Sequence, residues 1–193
     1  MKNIQQSNRF FYLALVRAAH ALLVISLSSF LAFVSFPSPG RAQDTRPQKV
    51  TMEYDEQKDI TQITLNPIIL ASRKYEELRL GATASYKGKV RVQPKEVSLI
   101  FVSLSAADVD KYESARKLRV LADGQQFALG ETQRAKQAQN GLFIESMVAI
   151  IPLDIFLRIC WAKEVRMKLG LTEVKLSTEH ITMLRAAASY MTQ

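Results

Sequence analysis

From Val50 onward the chain is dominated by period-two alternation of apolar and polar positions. In KVTMEYDEQKDITQITLN, Val50, Met52 and Tyr54 alternate with polar neighbours, as do Ile63 and Leu65. β-Branched and aromatic residues at that spacing predict two half-buried strands around a polar turn, Asp55 to Asp59. Leu78, Leu80, Ala82, Ala84 and Tyr86 repeat the pattern. Glu96 to Ser105 is denser, and a short run apolar on both faces predicts a central strand. ADVDKYESARK follows as a polar connector with room for a short helical turn. Leu118, Val120 and Phe127, Leu129 then flank Asp123-Gly124. That dipeptide is the strongest hairpin signal in the chain, because both residues tolerate positive φ. Glu131 to Gly141 reads as a loop ending in Asn140-Gly141, and Leu142 to Ile151 as another strand.

At Pro152 the period changes. Proline suits a first helical turn. In PLDIFLRICWAK, Leu153, Phe156 and Cys160 share one face, with Ile155 and Ile159 beside it. Asp154 and Arg158 stand four apart and are placed to pair on the wet stripe. So apolar a helix predicts burial over most of its circumference. Val165, Met167 and Leu169 then alternate with Arg166 and Lys168. After Gly170, Val174 and Leu176 alternate with Glu173 and Lys175, which predicts a hairpin with one oily and one charged face. Ser177 can cap a last helix, with Glu179 in its first turn and Ile181, Leu184, Ala188 and Met191 as its buried stripe. The elements predict a mainly β, α+β chain: an antiparallel sheet or β-sandwich with two C-terminal-region helices packed on one face or end.

The first 36 residues contain no acid, and Lys2, Arg9 and Arg17 precede an uncharged run from Ala21 to Phe36. Pro37 and Pro39 stop any helix, and Gly40-Arg41-Ala42 offers small residues where a signal peptidase reads. This predicts a secretory signal peptide, residues 1–42, cut after Ala42. The rival expectation is a retained inner-membrane anchor, since the uncharged stretch extends over residues 18–36, near the lower limit for spanning. Residues 43–48 read as a polar lead-in and residues 49–193 as a single globular domain. The expected location is secreted or periplasmic.

The leader alters the charge picture. The chain carries 26 Lys+Arg and 18 Asp+Glu, a net +8. Removing Lys2, Arg9, Arg17 and Arg41 leaves 22 bases against 18 acids, or +4. That value suits ordinary solubility and argues against nucleic acid as a partner. Cys160 is the only cysteine, so no internal disulfide forms and packing must hold the fold.

Candidate chemistry is sparse. Cys160, on the oily face of an apolar helix, reads as a buried structural thiol rather than a nucleophile or metal ligand. His180, the only histidine after the leader, lacks a Gly-x-Ser-x-Gly partner and reads as an ordinary surface or half-buried residue. Trp161 reads as core or boundary packing rather than a sugar platform. Glu76-Glu77, near Arg73, Lys74 and Arg79, reads as a solvated charged segment. Three basic groups, Lys87/Lys89/Arg91, Arg116/Lys117/Arg119 and Arg134/Lys136, could face an anionic envelope surface together, but interleaved acids favour dispersal. Phosphate loops and calcium loops are missing, and one Cys with one His cannot build a zinc site. No catalytic, cofactor-binding or metal residue is assigned, and no cofactor is expected.

The runs FLRICWAKEVRMKLG and LTEVKLSTEHITMLRAAASYM resemble a helix–hairpin–helix pattern of uncharacterised small exported bacterial domains. The similar features are the Phe-Leu-x-Ile helix, Ala162-Lys163, the Leu169-Gly170 turn, and an alternating strand leading into a terminal helix with Leu184-Arg185. Asp123-Gly124 with Glu145 extends the similarity, which covers about residues 96–191. The resemblance implies a secreted domain of unknown function and carries no catalytic residues. The expected role is non-enzymatic binding or structure in the cell envelope, with an unknown protein or envelope component as partner. A membrane is a partner only if the N-terminal segment is retained. The alternatives are an envelope hydrolase built around His180 and a membrane-anchored accessory subunit.

Overall fold

The computed structural model describes residues 49–108, 111–114 and 116–192. The expected signal peptide and the lead-in 43–48 lie outside them. The described residues belong to one unit, Arg46–Gln193. Among the described residues ten strands form two antiparallel sheets. The first contains β1 (Val50–Asp55), β2 (Ile60–Arg73), β3 (Glu76–Lys87), β4 (Glu96–Ser105), β7 (Gln133–Gln139) and β8 (Leu142–Pro152), ordered β1-β2-β3-β4-β8-β7. The second contains β5 (Lys117–Ala122), β6 (Gln125–Glu131), β9 (Val165–Leu169) and β10 (Thr172–Lys175), ordered β10-β9-β5-β6. Helices α1 (Leu153–Trp161) and α2 (Thr178–Thr192) complete the mainly β arrangement that alternation predicts.

Alternate residues of each sheet turn inward onto one core. Leu80, Leu99, Phe101 and Met147 come from the first sheet, and Leu118, Val120, Val165 and Met167 from the second. α1 packs against β4 and β8 of one sheet and β5 of the other, and Phe156, Ile159 and Cys160 are buried between them. α2 lies against α1 and strands β1 to β3 through Ile181, Leu184 and Ala188.

Two segments depart from expectation. β2 does not stop at Asn66 but runs on through Pro67 to Arg73. Register shifts after Leu65 and after Ile69 each insert an extra residue opposite β3. The first returns Ile68 and Leu70 to the core face and gives Pro67 an irregular position where its missing N–H costs little. Glu131 to Gly141 is not a loop. Gln133–Gln139 forms β7, at the edge of the first sheet, joined to β8 by Asn140-Gly141 with both φ positive (52° and 74°). An edge strand needs no apolar face to be held, so QRAKQAQ carried no alternation to read.

Between β6 and β7 the chain passes from one sheet to the other at Thr132. Its N–H and Oγ1 both donate to the Arg116 carbonyl, each at 3.1 Å. A bulge beside this corner inserts Leu129 on β6 opposite Leu118 and Arg119 of β5, next to Gly130 at φ 81°. Asp123-Gly124 forms the expected hairpin turn, φ 47° and 82°, the signature of a two-residue primed turn.

Candidate functional site

Cys160 is buried, and burial pushes its thiol well above the usual range, only partly opposed by Arg185. A nucleophile needs the opposite shift. His180 lies at the third position of α2. Its backbone N–H donates to Ser177 Oγ at 3.2 Å, and its Nδ1 accepts the Ser177 N–H at 3.3 Å. This is a reciprocal capping box with imidazole in place of the usual Glu or Gln. With Nδ1 accepting in the cap, it cannot donate to the carboxylate that would orient a hydrolase base, and Ser177 Oγ faces the backbone rather than the ring.

Trp161 is corrected: its side chain is not core, and the residue is 59% exposed. Helical spacing explains this, because Trp161 falls three and seven residues after Arg158 and Asp154, on the wet stripe. The Arg185 guanidinium lies 5.9 Å from its ring centre. Arg185 Nε donates to the Cys160 carbonyl at 2.9 Å and its terminal nitrogen to Ala162 at 2.8 Å, satisfying orphan carbonyls at the end of α1. The expected Asp154–Arg158 pair does not form. Arg158 instead donates to Gln125 Oε1 at 2.5 Å and stands 5.2 Å from the Phe127 ring centre.

Glu76 is also corrected, because it is not a solvated residue. Arg73 to Glu76 is a tight hairpin tip, and Glu76 points with Leu78 and Leu80 toward the core face. Lys111 Nζ donates to both carboxylate oxygens, at 3.0 and 2.8 Å, Ser103 Oγ at 3.2 Å and Tyr112 OH at 3.3 Å. Tyr112 OH also shares a 3.1 Å hydrogen bond with Thr172 Oγ1 on β10. Burial alone would raise the Glu76 carboxyl, but the Lys111 ammonium and the hydroxyl donors outweigh it and hold it below its ordinary value. Burial pushes the Tyr112 phenol up, Thr172 opposes this, and the Glu76 charge adds to it. Neither group is poised to exchange a proton near neutrality. The depression beside them, lined by Ala71, Arg73, Glu76, Leu78, Lys111 and Thr172, has a cavity volume of about 10 Å³. Small-molecule sites occupy roughly 300–1,000 Å³. The cluster is therefore a polar tie between hairpin tip, connector and second sheet. Its signal was present in the sequence: strict alternation puts Glu76, Ser103 and Glu145 on the inward face of β3, β4 and β8.

The three basic groups part company. Arg134 and Lys136 on β7 turn to the same inward edge: Arg134 Nε binds the buried Glu145 carboxylate at 2.8 Å, and Lys136 pairs with Asp108. Lys89 pairs with Glu56 at 3.3 Å and stands 4.7 Å from the Tyr54 ring centre, while Arg91 donates to Met52 sulfur at 3.4 Å.

Lys117 and Arg119 belong to a different setting, the outward face of the second sheet. Lys117, Arg119 and Leu121 of β5, Arg166 and Lys168 of β9, and Glu173 and Lys175 of β10 are all exposed there. The register sets Arg119 opposite Lys168, Lys168 opposite Glu173, and Arg166 opposite both Leu121 and Lys175. Glu164, just before β9, bridges Arg166 at 3.2 Å and Lys175 at 3.1 Å. Arg116 reaches Glu131 at 3.9 Å. Lys117, Arg119 and Lys168 make no salt bridge among the described residues. Five cations thus share one open face with Glu164, Glu173 and Glu131, and two facing pairs carry like charge, of which only Arg166 and Lys175 have a carboxylate between them. Like charges directly opposite destabilise a sheet. The arrangement can attract anions.

Among the described residues no helix is long and apolar enough to cross a membrane, and no group of three or more His, Cys, Asp and Glu could hold a metal ion. Comparison with protein-family models, with curated proteins and with solved structures yields no match.

Proposed function

We propose that this chain is an exported, non-enzymatic domain of the bacterial cell envelope that recognises an anionic component through the outward face of its second sheet. The observation carrying this reading is the facing of Arg119 and Lys168 across β5 and β9, both exposed and neither in a salt bridge. Such a pair weakens the free sheet and is relieved when an anion lies over it. The interior supports the same reading from the other side. The carboxylates of Glu76 and Glu145 are compensated by Lys111 and Arg134, the Cys160 thiol is protonated, and the His180 imidazole serves a helix cap.

Two measurements test this. N-terminal sequencing of exported material is expected to begin at Gln43, and a start before residue 18 contradicts export by cleavage. Purified protein is expected to leave a panel of esters, peptides and glycans intact. Turnover lost on His180→Ala would replace binding with hydrolysis.

A further inference from the structure

We infer that the anionic component is a planar one, the surface of an anionic phospholipid bilayer, and that the second sheet lies flat against it. This rests on the reading of the outward sheet face as the functional surface, and adds what covers it. Neighbouring strands stand roughly 4.8 Å apart and alternate side chains on one strand roughly 7 Å apart. Lys117, Arg119, Arg166, Lys168 and Lys175 therefore form a two-dimensional array, with cations on three adjacent strands. A linear polyanion tracks one row of such an array, whereas a plane of headgroups meets all of it. The face has no aromatic platform of the kind that stacks bases or sugars. Its strands carry instead a large exposed aliphatic residue, Leu121, 39% exposed and opposite Arg166. An apolar side chain among long basic ones suits the boundary between headgroups and acyl chains, where the cations' methylene stems also bury. Three acids reach the face: Glu164 holds Arg166 and Lys175, Glu173 lies opposite Lys168 and Glu131 opposite Lys117, but none stands between Arg119 and Lys168.

The test is co-sedimentation of the full chain with vesicles of phosphatidylcholine alone and of phosphatidylcholine with phosphatidylglycerol. The apolar N-terminal run contributes equally to every variant, so the comparison isolates the sheet. Each cation near an anionic surface is worth about fivefold in partitioning, so Arg119→Gln/Lys168→Gln is expected to weaken binding to the anionic vesicles roughly 30-fold. Binding to neutral vesicles should not change. Lys87→Gln/Lys95→Gln, removing the same charge elsewhere, is expected to bind as the parent. Raising the salt should erase the difference between parent and double variant. A thermal melt checks folding, and relief of the like-charge pair predicts a double variant melting no lower than the parent. Equal anionic-vesicle binding by parent and double variant overturns the inference. If the double variant loses binding to a soluble sulfated polymer but not to vesicles, the planar occupant is wrong and the functional face stands. If the substitutions change neither, both fall.

Discussion

Tyr112 shows how a single polar atom organises distant parts of the chain. Only 1% exposed, it joins Glu76 on β3 to Thr172 on β10 from a connector with no regular structure. Tyr112→Phe keeps the ring and leaves the buried Thr172 hydroxyl without that partner. The expected cost is about 1–2 kcal/mol, read as a lower urea midpoint at unchanged slope. Asp123 works differently, at the surface. Its carboxylate accepts the Glu164 N–H at 2.8 Å and the Lys163 N–H at 3.0 Å, which draw it below its ordinary value. A group whose folded value is depressed stabilises the fold above its unfolded value and loses that contribution as pH falls through the folded one. Asp123→Asn tolerates the positive φ but lacks the charge. It is expected to be less stable than the parent at neutral pH, with the gap closing in acid; a gap independent of pH contradicts the charge argument. Residues of this kind were only partly legible in the sequence. Asp123-Gly124 announced its turn through backbone conformation, but its carboxylate's partners lie some forty residues away in sequence. Tyr112 sits amid polar neighbours with no period to mark it as buried.

At the scale of elements, legibility followed periodicity. Strands β3, β4, β5 and β8, the β9–β10 hairpin and both helices have one face committed to the core, and the alternation or helical spacing of their sequences shows it. The second half of β2 is hidden from the sequence because two bulges break the period while preserving burial. β7 is invisible to periodicity because an edge strand held by backbone hydrogen bonds and by Arg134 and Lys136 has no apolar stripe. α1 is the element on which both sheets depend. Phe156, at 0% exposure, lies on its face toward the shared core. Phe156→Ala is expected to cost about 3–5 kcal/mol, measured by equilibrium denaturation, because neither sheet can collapse into the space. A loss below 1 kcal/mol would mean that α1 is peripheral to the core.

The whole molecule separates its polar chemistry by location. Inside, each buried carboxylate has a cation or a set of donors, and no described buried side-chain polar atom lacks a partner. Outside, the second sheet leaves Arg119 and Lys168 facing each other. The sequence showed which residues of that sheet point outward, since Arg119, Arg166 and Lys168 alternate with apolar neighbours. It could not show that β5 lies next to β9, because that pairing is set by the fold and not by any local turn. This juxtaposition of strands separated by an entire sheet crossing turns scattered bases into one face. Lysine acylation footprinting read by mass spectrometry, with and without phosphatidylglycerol vesicles, tests the central claim most directly. Lys117, Lys168 and Lys175 are predicted to lose reactivity on binding while Lys87 and Lys95 keep theirs. Protection of Lys87 and Lys95 with Lys117, Lys168 and Lys175 still reactive would contradict it.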